Sequence, residues 1–133
     1  MTTSLVVGGG GGLGQYIAER LAGRGDDVII TSRTPTRAQQ VAAELGPRAR
    51  GLAVDLARPS TIADDLVDID EVDNLVLTAF APSPNTLHGF DITDAIAAIT
   101  IKLVGRSRRS FALVDEGFGL MQCARAMVWR AGR

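Results

Sequence analysis

The chain has 133 residues, of which 46% are apolar and 22% charged, a composition typical of one soluble globular domain and not of a disordered chain. Its net charge of -1 provides no global field that would attract nucleic acid or an anionic membrane, and no apolar run is long enough to cross a bilayer. We therefore expect neither a nucleic acid nor a membrane as a partner. The single cysteine and an N-terminus without a leader-like segment favour a cytoplasmic location.

Four apolar strands alternate with helices along the first part of the chain. The predicted strands are "SLVV", "DVIITSR", "RGLAVDL" and "VDNLVLTAF", and the predicted helices between them are "GQYIAERLAGRG", "TPTRAQQVAAEL" and "PSTIADDLVDI". A fourth helix is predicted over "FDITDAIAAITIKLVG", and residues 111–114 are a candidate fifth strand. Leu120, Met121, Ala124, Met127 and Val128 have the spacing of one last helix.

Continuous apolar strands separated by amphipathic helices predict a parallel sheet that is covered on both faces. We expect an α/β, Rossmann-like doubly wound fold of about four to five strands, truncated, with the strand order 3-2-1-4 and an open apolar edge beside the fourth strand.

The charge divides the chain in two. Residues 1–105 carry 8 basic and 13 acidic side chains, whereas residues 106–133 carry 6 Arg against Asp115 and Glu116. We predict a Rossmann-type domain over 1–105 and an atypical Arg-rich segment, formed by one helix, over 106–133.

Five consecutive glycines follow the first strand, and Gly8, Gly12 and Gly14 have the spacing Gly-x-x-x-Gly-x-Gly. A slack linker is not expected between a buried strand and its crossover helix, because such connections are short. The spacing instead predicts a turn whose amides approach a pyrophosphate, with the helix that begins near Leu13 directing its positive end at the phosphates.

The second strand ends in Ser32 and Arg33, where an NAD-binding protein would carry an acidic residue for the ribose 2′-OH. A small hydroxyl followed by Arg suits a 2′-phosphate and favours NADP over NAD, with Arg37 close enough in sequence to assist. The alternative is that Arg33 is only a solvated loop charge.

These motifs resemble those of the short-chain dehydrogenase/reductase family over residues 4 to about 105. The family's Thr-Gly-x-x-x-Gly-x-Gly motif appears as "VGGGGGLG", with Val7 in place of Thr. The resemblance implies that Asp55, in "AVDL", contacts the adenine amino group, with Leu56 beside it. It also places "LTAF", with Thr78, Ala79 and Phe80, at the family's Asn-Asn-Ala-Gly motif, of which only Ala79 is kept.

The resemblance further implies a catalytic Tyr-x-x-x-Lys pair, which this sequence does not contain. Its only tyrosine, Tyr16, is followed four residues later by Arg20, and its only lysine, Lys102, is preceded four residues earlier by Ala98. We therefore assign no catalytic residue and no metal site, and expect an oxidoreductase-type NADP(H)-binding domain without hydride transfer of its own. A truncated or frame-shifted product, a binding-only relative and a subunit completed by another chain all remain open.

A second hypothesis is a non-enzymatic interaction module on a degenerate nucleotide-binding fold. Ile92, Ile96, Ile99 and Leu103 form an apolar stripe on the helix that the resembled family uses for dimerisation. We expect a homodimer in which residues 93–104 meet their symmetry mates; the alternative is that the stripe covers the sheet.

Overall fold

The computed structural model describes residues 2–69, 72–79, 86, 88–101 and 127–130. The elements in chain order are β1 (Thr3–Val7), α1 (Gly12–Gly23), β2 (Asp27–Ser32), α2 (Pro35–Leu45), β3 (Ala49–Ala53), α3 (Ile62–Asp65), β4 (Asn74–Leu77), α4 (Ile92–Ile99) and β5 (Met127–Arg130).

The strands form one sheet in the order β3-β2-β1-β4-β5. The first four strands are parallel, with Val6 of β1 opposite Ile30 of β2 on one side and Val76 of β4 on the other. The predicted α/β fold and the strand order 3-2-1-4 are therefore confirmed.

Each face of the sheet carries its own apolar core, because successive side chains of a strand point to opposite faces. Val6, between Leu5 and Val7, packs on one face with α1 and α2 through Ala18 and Val41. Leu5 and Val7 pack on the other face with the segment around α3. All three β1 residues are almost fully buried, as a strand covered on both faces must be.

The third helix is shorter than its sequence predicts. Ile62, Leu66 and Ile69 form the predicted buried stripe, but the α-helix ends at Asp65. Beyond it the amide of Ile69 donates to the carbonyl of Leu66 over 2.9 Å, a three-residue turn that continues the chain without an α-helical ladder.

The edge beside β4 differs from the prediction. An open edge was expected there, but β5 pairs with β4 in antiparallel register, with Leu77 opposite Met127 and Leu75 opposite Trp129. Met127 and Val128 are thus in a strand and not in the predicted last helix, since the unpaired groups of β4 offer a ladder of hydrogen bonds to any extended segment. The candidate strand 111–114 lies outside the described residues, as do residues 102–105 of the predicted fourth helix, whose described α-helical part ends at Ile99.

A buried polar network closes the amino end of the sheet. Asn74 donates to the hydroxyl of Ser4 (3.1 Å), and that hydroxyl donates to a carboxylate oxygen of Asp26 (3.2 Å). Arg24 lies 3.6 Å from the same oxygen of Asp26, which is only 6% exposed. The network joins β1, β2 and β4 at the end of the sheet opposite to the glycine turn.

Candidate functional site

The candidate site lies at the carboxyl ends of β1 and β4. β1 has β2 as its neighbour on one side and β4 on the other. The strands therefore follow one another in opposite directions across the sheet on the two sides of β1. In open α/β sheets this reversal leaves a crevice beyond the strand ends, and ligands bind there.

Gly8 begins the turn after β1 and must be glycine for two reasons. Its φ of +84° lies in the left-handed region, and a Cβ at this position would stand 2.6 Å from the backbone nitrogen of Ala79. The end of β4 is held against the turn as well, because the Thr78 hydroxyl donates to the carbonyl of Val7 over 2.9 Å. The predicted residues Gly8, Thr78 and Ala79 are therefore brought together.

Gly14 lets α1 approach the strand ends. It is buried in the first turn of the helix, and a Cβ there would collide with the carbonyl oxygen of Gly8 and the hydroxyl oxygen of Thr78. The absence of a side chain thus fixes how closely the start of α1 lies to β1 and β4.

The start of α1 is open on its outer side. A Cβ on Gly11 or Gly12 would meet no atom within 4 Å, and the helix has neither a side-chain cap at Gly11 nor an acidic residue in its first turn. Gly12 has a φ of +55°, and Leu13 beside it is exposed. The unsatisfied amides and positive end of such a helix favour a bound anion.

The end of β2 lies beside the glycine turn. The Ser32 hydroxyl oxygen stands 2.8 Å from the position of a Cβ on Gly10, and Arg33 is exposed. Arg37 contacts the turn itself: its Nε donates to the carbonyl of Gly10 (2.6 Å), and its Nη2 donates to the side-chain oxygen of Gln15 (3.2 Å). This contact could not be predicted from the sequence, since no local pattern signals a bond between α2 and the turn.

Asp55 follows β3 at the same end of the sheet. Its carboxylate accepts a hydrogen bond from the amide of Ala57 (2.9 Å) and lies 3.8 Å from Nε of Arg58, with the side chain 37% exposed. The side chain of Leu56 is buried in the core, so only its backbone can face a ligand. Phe80 lies outside the described residues.

Neither a metal nor a membrane site emerges from the part of the chain that the structure describes. No group of three or more His, Cys, Asp or Glu there could hold a metal ion. Among those same residues no helix has the length and apolar character needed to cross a membrane.

The fold and the glycine turn define a Rossmann-like α/β protein of the nucleotide-binding class. A family model described as "short chain dehydrogenase" matches residues 2–116. The chain belongs to the short-chain dehydrogenase family of oxidoreductases, which confirms the resemblance drawn from its motifs.

Individual relatives agree with this assignment. The chain is 38% identical over 118 residues to 2-dehydro-3-deoxy-D-gluconate 5-dehydrogenase of Bacillus subtilis, an alignment that covers 78% of this chain and 46% of that enzyme. Among solved structures, a short chain dehydrogenase/reductase family protein matches with a TM-score of 0.79 and 31% identity over 84% of this chain and 47% of its own. A metagenomic short-chain oxidoreductase in complex with NADP matches with a TM-score of 0.72 and 25% identity, over 84% and 54%. The chain thus spans about half the length of these relatives.

Proposed function

We propose that the chain is an NADP(H)-binding domain of the short-chain dehydrogenase/reductase type, and that these 133 residues do not carry out hydride transfer alone. The observation that carries the proposal is the turn over residues 8–14, where glycines keep side chains away from the open start of α1. A cytoplasmic location is part of the same proposal.

The residues of the site fit a dinucleotide. The amides of Gly12, Leu13 and Gly14 would receive the pyrophosphate, because the first turn of α1 has neither a side-chain cap nor an acidic residue. Asp55 would accept from the adenine amino group and Leu56 would contact the adenine through its backbone. Thr78, Ala79 and Phe80 would border the nicotinamide side, where the bound cofactor supplies the hydride that family members transfer.

The preference for NADP rests on the end of β2. Ser32 offers a hydroxyl, and Arg33 takes part in neither the Arg24–Asp26 nor the Arg58–Asp55 ion pair. Its exposed guanidinium is therefore available to form paired hydrogen bonds with a 2′-phosphate. The solved NADP complex of a relative adds support, since that chain shares this fold.

The residues of the chain support the proposal that these 133 residues do not transfer hydride alone. The family's Tyr donates or accepts the proton, and its Lys lowers the pKa of that Tyr. Here Tyr16 lies within α1 with 59% of its surface exposed, and no Lys stands four residues after it. These 133 residues therefore lack the Tyr–Lys pair that would donate a proton to the carbonyl of a substrate.

Calorimetric titration with NADPH and NADH in parallel tests the proposal. We expect saturable binding of both, tighter for NADPH. Gly12→Ala should weaken both, because its φ of +55° would force a left-handed conformation on an L-residue, at a cost of about 1–2 kcal/mol, or else move the amides. Gly23→Ala, at the far end of α1, is the matched control and should bind like the unaltered chain. The lack of saturable binding of either nucleotide would refute the proposal.

A second candidate function, a dimerising interaction module, is favoured by one observation. Ile92, Ile96 and Ile99 are 63%, 56% and 53% exposed along one stripe of α4, and Phe90 just before the helix is 68% exposed. A two-fold axis through this stripe would let it bury itself against a second copy of the chain. We therefore propose a homodimer through α4, which is compatible with nucleotide binding.

A further inference from the structure

Arg37 joins three elements that meet at the glycine turn. It occupies the third position of α2, is half-buried, and reaches Gly10 in the turn and Gln15 in α1. The shorter bond, 2.6 Å from Nε to the carbonyl oxygen of Gly10, has a charged donor and is therefore of the stronger kind.

The bond to Gly10 fixes the direction of the next amide. None of the described peptide bonds is cis, and in a planar trans peptide the C=O and the following N–H point in opposite directions. With the carbonyl of Gly10 turned toward Arg37, the N–H of Gly11 must point away from Arg37.

The next peptide is fixed in the same way. The carbonyl of Gly11 accepts a hydrogen bond from the amide of Gln15 over 3.3 Å, so the N–H of Gly12 points away from the body of α1. The Gln15 side chain also accepts a hydrogen bond from Arg37, so the same guanidinium contacts both Gly10 and the residue whose amide binds Gly11. Consecutive glycines rotate almost freely without such bonds, and a flipped Gly10 peptide would move its N–H and C=O out of this arrangement.

We propose that Arg37 is a positioning residue that orients the amides of the glycine turn for the dinucleotide pyrophosphate, and that discrimination between NADP and NAD lies with Arg33. This rests on the proposed function. The pyrophosphate is common to both nucleotides, so Arg37 contributes equally to the affinity for each, whereas Arg33 contributes only where a 2′-phosphate is present.

Arg37→Met tests the proposal because it keeps most of the aliphatic stem and removes every donor. We expect the dissociation constants for NADPH and NADH to rise by a similar factor, about 10-fold, as for the loss of a hydrogen bond with a charged partner. Arg33→Ala, the matched comparison, should raise the NADPH constant alone. Arg37→Lys keeps the charge but not the planar guanidinium, so its dissociation constants for both nucleotides should lie between those of Arg37→Met and those of the unaltered chain. It replaces Arg37→Met as the test if the Met variant does not fold.

Amide hydrogen exchange without nucleotide provides an independent measurement. In the Arg37 variants the amide of Gln15, which donates to the carbonyl of Gly11, should exchange faster, while β1 and β2 should exchange as before. Unchanged exchange at the Gln15 amide, or a loss of affinity confined to NADPH, would overturn the positioning role. If the unaltered chain binds neither nucleotide, the proposed function fails, and the exchange data alone still decide whether Arg37 orders the turn.

Discussion

Replacing Gly14 with alanine adds a single methyl group where α1 meets the sheet. That methyl would collide with the carbonyl oxygen of Gly8 and the hydroxyl oxygen of Thr78. The first of these is a backbone atom, which cannot rotate out of the way as the end of a long side chain does. The start of α1 must therefore move away from β1 and β4, and the phosphate-facing amides move with it.

Two effects of opposite sign set the size of the change. Alanine is a better helix former than glycine by about 1 kcal/mol, whereas a methyl group forced into a packed site costs about 1–3 kcal/mol. Because two neighbours obstruct the methyl group, we take a cost of about 2–3 kcal/mol and expect a net loss of about 1–2 kcal/mol. For a chain of this size that lowers the Tm by roughly 5 °C.

Gly23→Ala in the same helix is the control, since a Cβ there meets nothing within 4 Å. It should raise the free energy of unfolding by about 0.5–1 kcal/mol. Thermal and urea unfolding followed by far-UV circular dichroism compare the two variants, and calorimetry compares their nucleotide affinities. If Gly14→Ala were as stable as the unaltered chain and bound nucleotide equally well, the argument that helix α1 must approach this closely would be wrong.

Two further predictions concern the amino end of the sheet and α4. Ser4→Ala removes the hydroxyl between Asn74 and Asp26. Because the buried Asp26 carboxylate then lacks a hydrogen-bond donor, the free energy of unfolding measured in urea should fall by about 1–3 kcal/mol. A change below about 0.5 kcal/mol would show that the network is dispensable. Ile99→Asp should convert the proposed dimer to a monomer by light scattering, because an unpaired carboxylate is costly in an apolar interface. Val67→Asp, at a residue 73% exposed outside α4, should leave the mass unchanged, and a dimer that survives Ile99→Asp would exclude the α4 contact.

The parts of the fold that local patterns determine were predicted from sequence. Residues such as "VIIT" in β2 read as a buried strand because both faces of a parallel sheet are covered, and the start of α2 at Pro35 follows from the fixed φ of proline. The glycine turn was recognised because its spacing and its place after the first strand together indicate one geometry.

The parts that depend on distant residues were not predicted. Met127 and Val128 have helical spacing with the residues before them, but their state is decided by β4, a strand far earlier in the chain. Likewise, sequence proximity placed Arg37 near Arg33 but did not predict the hydrogen bonds that Arg37 donates to Gly10 and Gln15. Which acceptor a long cationic side chain chooses is set by tertiary packing and leaves no periodic signal.

The position of the antiparallel strand β5 determines which part of the protein tryptophan fluorescence reports on. Trp129 is the only tryptophan, and it stands opposite Leu75 in the β4–β5 pair. More residues separate β5 from β4 along the chain than separate any other two consecutive strands. Bringing together segments so far apart costs chain entropy, so β5 should separate from β4 before the parallel strands separate from one another. Tryptophan emission should then report the separation of β5 from β4, while far-UV ellipticity should report the unfolding of α1 and α2. Two transition curves that do not coincide would mark a chain that unfolds in stages, and a melting temperature read from fluorescence alone would belong to the edge and not to the nucleotide-binding half.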